Sequence, residues 1–187
     1  IRKALDTLST VHPRNQTLNY LRARFLDPEE ADSVLLDIMI DNPLFYWGYF
    51  GLGQNYLRQG LFEKARVQFE NALLLNPLIP EVQLGLGIAY YNLGDFQKAL
   101  IQYEKALIIN PGIIPEAYFH LGMLYNTKKD TTRTTENFKN YMDFVKSGSQ
   151  VDLARSILDS IEAKLLEAAL LEEQMAEELD EENKFSS

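Results

Sequence analysis

The side chains that carry most enzyme chemistry are scarce in this sequence and poorly placed for it. Two histidines, His12 and His120, are the whole supply of imidazole. A general base must lie within hydrogen-bond reach of the proton it takes and be oriented by a neighbour. His120 sits beside Leu121 and Gly122 in a helical stretch, where a packing or surface role fits it better. Cysteine is absent, which removes thiolate nucleophiles, disulfides and thiolate zinc sites together. Gly51-Leu52-Gly53 and Gly85-Leu86-Gly87 are glycine pairs, but a phosphate-cradling loop needs a strand leading into a helix, and no strand pattern is evident. Asn15-Gln16-Thr17 has the spacing of a glycosylation acceptor, a pattern short enough to recur by chance. The expectation is a non-enzyme with no cofactor and no metal.

Charge narrows the choice of partner. The net charge is −9 and 46% of the residues are hydrophobic, enough for a real core. Residues 160–187 hold nine acidic side chains against Lys164 and Lys184. No basic stripe of the kind that neutralises phosphates is present, which argues against nucleic-acid binding. The acidic cluster from Glu172 to Glu182 reads as a solvated helix end, with attraction of a cation or a basic partner as the alternative. No run of ~18 apolar residues exists, so no membrane-spanning helix is expected. The chain opens at Ile1 and reads as a piece of a longer protein whose leader or anchor could lie upstream. Lack of cysteine fits a reducing cytosol and a periplasm alike, so the compartment stays open.

The residues that could do chemistry must be positioned by something, and the positioning element is a repeat. Asn42-Pro43, Asn76-Pro77 and Asn110-Pro111 recur with a spacing of 34 residues. Leu52-Gly53 returns as Leu86-Gly87, Tyr56 as Tyr90, Gly60 as Gly94, Ala65 as Ala99, Phe69 as Tyr103 and Ala72 as Ala106. A third copy follows one residue late, with Leu121-Gly122, Tyr125 and Phe138. Each copy holds two helical stretches. Gly94 ends one and Asp95 caps the next, with Asp27 (before Pro28) and Asp130 in the same capping slot. Gly53 and Ala65 are small where two helices should come closest, and Tyr56, Phe69 and the leucines fill the space between. Each Asn-Pro pair ends a second helix, because the residue before proline is pushed out of the α region.

These residues and their 34-residue spacing resemble the tetratricopeptide repeat family. The resemblance implies an all-α fold, a right-handed superhelix of antiparallel helix pairs with a long C-terminal helix. The expected division is 1–11 as the tail of a preceding repeat helix, with Ala4 in register, 12–45 as a degenerate repeat, 46–79 and 80–114 as full repeats, 115–148 as a divergent repeat and 149–187 as a C-terminal capping helix with an acidic end. The degenerate copy has Asn19 and Ile38 where the family places glycine and alanine. The divergent copy has Thr134 and Tyr141 where small residues are usual. The last helix, with Ser149 as its cap, carries the stripe Val151, Ala154, Leu158, Ile161, Leu165, Ala168, Leu171, Met175, Leu179 at helical spacing.

The resemblance also implies where a partner would lie. First helices of the family line a concave groove, and the matching positions here are Trp47, Phe50, Gln54, Leu57 and Arg58, then Glu81, Leu84, Ile88, Tyr91 and Asn92, then Glu116, Phe119, Met123 and Asn126. The degenerate copy adds Gln16, Tyr20 and Arg24. Trp47, Phe50, Leu84, Ile88, Phe119 and Met123 would form one contiguous apolar patch, the mark of an interaction surface, unless the chain fills the groove itself. Family members that clamp a terminal carboxylate use lysines, arginines and asparagines at positions that here hold Phe50, Gln54, Leu84, Ile88, Phe119 and Met123. A co-chaperone role of that kind is therefore not expected. Three readings remain: a scaffold gripping an amphipathic helix or extended peptide of another protein, a structural part of a larger homo- or hetero-assembly that uses its outer surfaces, and the regulatory domain of an enzyme encoded upstream. The style of the repeats, with Asn-Pro endings and Ile/Leu-rich helices, resembles bacterial members.

Overall fold

The computed structural model describes residues 1–110, 112 and 114–185, with side chains described up to residue 176. Every regular element among the described residues is an α-helix: α1 (Arg2–Val11), α2 (Gln16–Ala23), α3 (Pro28–Asp41), α4 (Tyr46–Arg58), α5 (Phe62–Leu75), α6 (Pro80–Asn92), α7 (Phe96–Ile109), α8 (Glu116–Thr127), α9 (Thr131–Phe144) and α10 (Ser149–Phe185). They form two compact units, Ile1–His120 and Leu121–Ser187. The division falls inside α8.

In the first unit each helix packs on the next through α7, and first helices also touch, α2 on α4 and α4 on α6. The second helices start in related ways. Asp95 accepts a hydrogen bond from the Lys98 amide at 3.1 Å, satisfying one of the donors that a helix leaves unpaired at its N-terminus. Asp27 does not do this. Its backbone carbonyl accepts from Ala31 at 2.8 Å, but its carboxylate makes no capping bond. Glu29 and Glu30 already place negative charge in that first turn, where the helix dipole favours it, and a third carboxylate gains less there. Asn15 caps α2 instead, accepting from the Leu18 amide at 3.1 Å, so the glycosylation-like asparagine has a structural job.

The turn between paired helices needs a left-handed residue. Gly60 at φ 73° and Gly94 at φ 80° supply it at no steric cost. The second helices end at Asn42 and Asn76, whose side-chain oxygens accept from the Leu44 and Leu78 amides at 3.2 Å, each spanning the proline between. Asn110 does the same with the Gly112 amide at 3.0 Å. The asparagine is thus as much a part of the stop as the proline, because its side chain imitates a backbone turn.

The core runs in register. Ala31, Ala65 and Ala99 are fully buried, as are Phe69 and Tyr103, with Leu35 in the matching place. Ile38, Ala72 and Ala106 are buried one turn on. A Cβ added to Gly53 would lie 2.7 Å from the Phe69 ring, and one on Gly87 would lie 2.5 Å from Tyr103. Glycine is the residue that lets these rings touch the helix backbone. In α1 the buried residue is Ser9, whereas Ala4 is exposed.

The second unit keeps the register with bulkier parts. Phe138 is fully buried against Gly122, where an added Cβ would lie 2.6 Å from the ring. Thr134 is buried in the alanine position and turns its hydroxyl onto the Asp130 carbonyl at 2.6 Å. Asp130 caps α9, accepting from the Arg133 amide at 3.0 Å. Lys129 takes the left-handed turn at φ 60° without being glycine. Tyr141 donates to Gln150 Oε1 at 3.1 Å, tying α9 to α10. α10 packs on α9, and its buried residues are Val151, Ala154, Leu158 and Ile161. From residue 162 to 176 every side chain is exposed. Only the first part of the expected apolar stripe is therefore covered. Leu165, Leu171 and Met175 stay open, and Leu179, like Glu177–Glu182, lies outside the described side chains.

Candidate partner-binding site

The positions that resemblance assigns to a groove divide into three groups. The first has internal work. Phe50 is 4% exposed and Phe119 6%. Phe50 touches Trp47 edge-on at 5.5 Å and Phe69 at 6.1 Å. Trp47 is half-buried against the same core, 5.4 Å from Tyr20. Leu84 packs on the buried cluster of Ala106, Ile114 and Ala117. An exposed patch running through Trp47, Phe50, Leu84 and Phe119 is therefore not what forms. Packing between successive first helices, α2 on α4 and α4 on α6, consumes side chains that pairing within a repeat would leave free.

The second group converges. Tyr20 and Arg24 from one repeat meet Gln54, Leu57 and Arg58 from the next around a cleft of about 320 Å³, floored by Ala23, Leu35 and Gly51. Gly51 lets Leu35 and Tyr20 pack directly on the α4 backbone: a Cβ there would lie 2.7 Å from Leu35 and 2.9 Å from Tyr20. Burial pushes the Tyr20 phenol up from its ordinary value, with Arg24 pulling the other way, so it remains a neutral donor. Arg58 donates to the buried Asn55, whose amide in turn donates to the Pro28 carbonyl at 2.7 Å and to Asp32. Asn55 thus anchors α4 on α3 and steadies Arg58. The repeat spacing does not single it out, and the one signal in the sequence is a polar residue directly before the repeated Tyr56.

The third group is separate. Glu81, Ile88 and Tyr91 are half-buried on α6, whereas Asn92 is exposed, its amide spent on the Ile88 carbonyl at 2.9 Å. Tyr91 leans on Phe96 at 5.4 Å. Glu116 is exposed at the start of α8, and Gln16 is half-buried, accepting from Asn42 at 3.0 Å. In the second unit Met123 is half-buried and Asn126 exposed.

Elsewhere several charged and aromatic side chains pair within the chain. Arg66 bridges Glu63 at 2.9 Å and Glu70 at 2.8 Å, and the Tyr90 hydroxyl donates to Glu70 at 2.8 Å. His120 stacks on Tyr103 at 5.5 Å and meets Phe119 edge-on. Burial lowers its imidazole to about 4, so it is neutral at pH 7, far below the range of a poised base. The His12 amide closes α1 on the Leu8 carbonyl at 2.8 Å. Among the described residues no group of three or more histidine, aspartate or glutamate side chains is placed to hold a metal, and no helix is long and apolar enough to cross a membrane.

Paired helices stacked in a fixed register, with glycine-seated rings between them, define a helical-repeat protein. Residues 50–112 match the model of the family described as tetratricopeptide repeat, and that stretch carries tetratricopeptide repeats. Comparison with curated protein sequences gave no match. Among solved structures it is similar to TTC0263, a thermophilic TPR protein in Thermus thermophilus, with a TM-score of 0.73 at 20% identity over 85% of this chain and 87% of that one. It is also similar to MamA, with a TM-score of 0.64 at 21% identity over 78% of this chain and 86% of that one. MamA 41-end from Desulfovibrio magneticus RS-1 gives 0.64 at 19% identity over 79% and 85%. At these identities the likeness is one of fold. Tetratricopeptide repeat proteins are generally protein-interaction scaffolds.

Proposed function

We propose that this chain is a non-catalytic scaffold that grips a segment of another protein, an amphipathic helix or an extended peptide, on the first helices of its repeats. One observation carries the reading. Five of the positions that the family resemblance assigns to the groove, Tyr20, Arg24, Gln54, Leu57 and Arg58, meet around a single cleft. Its apolar floor offers burial to a side chain, and its two guanidinium groups make no ion pair among the described residues. A segment carrying carboxylates beside an apolar residue suits it, since complementary charge fixes the orientation of a bound segment.

The test substitutes the rim, where Arg58 is exposed and Leu57 half-buried. A partner recovered from the source cell is titrated calorimetrically against the parent chain and against Leu57→Ala with Arg58→Ala. Loss of ~2 kcal/mol or more of binding, with an unchanged melting temperature, supports the site. Undiminished binding moves the interface to another face. Phe50 is unsuitable for this purpose, because its burial would confound binding with stability.

A further inference from the structure

α10 changes character at Ile161. Before it, Val151, Ala154 and Leu158 are buried; beyond it, five large apolar side chains stand in water. Leu165, Leu166, Leu170, Leu171 and Met175 are 51–63% exposed. An apolar run of this kind on a charged helix marks a surface that something covers.

The order of the residues says what covers it. Counted outward from Ala168, the third residue on either side is leucine (Leu165, Leu171). The fourth is Lys164 on one side and Glu172 on the other, and the seventh is apolar on both (Ile161, Met175). Steps of three, four and seven all stay within about 60° of Ala168 around the helix. This face therefore presents the same apolar pattern in both directions, with opposite charges at mirrored places. An antiparallel copy related by a two-fold axis at Ala168 sets each residue level with its mirror mate. Leucine is then level with leucine, each Met175 with the Ile161 that ends the covered part of the other helix, and each Lys164 with a Glu172. Such a contact is self-complementary, as a two-fold interface must be. A parallel copy would instead set Lys164 level with Lys164 and Glu172 with Glu172, an arrangement that like charges oppose. The small Ala168 at the crossing lets the two backbones approach. Glu162, Glu167 and Glu173 fall a quarter-turn or more from Ala168 and stay in solvent. Leu166 and Leu170 fall nearly half a turn away and lie outside this contact.

We propose that α10 is a dimerisation helix: two copies of this chain pair antiparallel through residues 161–175, with Ala168 at the two-fold axis. About four turns from each copy bury on the order of 1,000 Å² in total, the lower end for a specific interface. The inference uses only α10 and is independent of the partner cleft.

The absence of cysteine makes the geometry directly testable in the full chain. Sedimentation equilibrium between about 1 and 100 µM should show a monomer–dimer equilibrium. Under mild oxidation Ala168→Cys should form a disulfide-linked dimer. Lys164→Cys should not, because its two copies lie ~12 Å apart along the axis. Glu172→Lys should weaken the dimer at least about tenfold, and adding Lys164→Glu should restore it. Leu165→Glu with Leu171→Glu should be monomeric with an unchanged melting temperature, since both side chains are exposed in the single chain. A parent chain that stays monomeric at the highest concentration overturns the proposal. So does cross-linking through Lys164→Cys as readily as through Ala168→Cys, or a charge swap that fails to restore pairing.

Discussion

Phe69 and Tyr103 occupy the same place in successive repeats, and the molecule closes around them differently. Phe69 is seated between two glycines, Gly53 of its own repeat and Gly85 of the next, where added Cβ atoms would lie 2.7 and 2.6 Å from the ring. Tyr103 has Gly87 on one side, but on the other the ring stacked on it belongs to His120. The first junction is an apolar ring between two backbones. The second is a stack of two rings, each with a polar atom that gains little from burial. The Tyr103 hydroxyl is buried without a partner among the described residues, and the His120 imidazole is held neutral. The same register thus carries a junction specified by steric fit and another that retains polar groups inside. A buried polar group without a hydrogen bond costs ~1–3 kcal/mol, so the first junction should be the firmer one.

The largest effect should come from removing the ring that both glycines serve. Phe69→Ala leaves a cavity between two close backbones that helices cannot easily fill. A loss of ~3–5 kcal/mol is expected in urea denaturation. Because repeats contact mainly their neighbours, amide exchange should rise first in α4 to α6. Exchange rising uniformly along the chain would show that the junction is not a local unit.

Acidification should separate the two junctions next. The unfolded His120 imidazole titrates near 6.5 and the folded one near 4. Between these values the unfolded chain binds a proton that the folded chain does not. The contribution of the neutral imidazole is intact above about pH 6.5 and is lost as pH falls toward about 4, up to ~3 kcal/mol. Carboxylates titrate nearby, so the measurement is the difference between the parent chain and His120→Gln across that window. Parallel stability profiles for the two proteins would remove His120 from the comparison.

A methyl group on the firmer side should cost less. Gly85→Ala places a Cβ 2.6 Å from the Phe69 Cζ, and overpacking of this kind costs ~1–3 kcal/mol. Alanine regains ~1 kcal/mol of helix propensity over glycine, leaving a net loss of up to ~2 kcal/mol. A denaturation midpoint that rises would mean that Phe69 has room to move.

How much of this is legible in the sequence depends on whether the governing contact lies within one repeat. Gly53 with Phe69 and Gly87 with Tyr103 are contacts inside a repeat, and the period exposes them together with the helix boundaries and the capping roles of Asp95 and Asp130. The contacts of Gly85 with Phe69, Tyr20 with Trp47 and Leu84 with Ile114 do not follow from that pairing. Nothing in the spacing of one helix face tells such a contact from exposure to a ligand. That is why Phe50 and Phe119 read as groove anchors and yet are buried. The Asn-Pro stop is legible in its period, but the spacing does not show that the asparagine side chain bonds two residues ahead. The uncovered part of α10 carries the same apolar spacing as the covered part. A helical stripe records that a face is to be buried, not which molecule will bury it.

The smallest change should make the two junctions alike. Tyr103→Phe removes one oxygen and leaves the ring against Gly87 in place. Burial without a hydrogen-bond partner pushes the Tyr103 phenol well above its ordinary range, with Tyr91 adding to the shift. The same absence of a partner means that the folded state gives up the water bonds of this hydroxyl without replacing them. Deleting it should leave stability unchanged or raise it by ~1 kcal/mol, whereas most substitutions at a fully buried site destabilise. The substitution should also leave the acid-dependent loss at His120 in place, because that loss comes from burial of the imidazole and not from the hydroxyl. Urea titrations at pH 7 and near pH 5 on the single variant read both effects. If Tyr103→Phe destabilises by ~1 kcal/mol or more at pH 7, the hydroxyl is bonded in the folded state. The contrast with Phe69 would then lie in His120 alone.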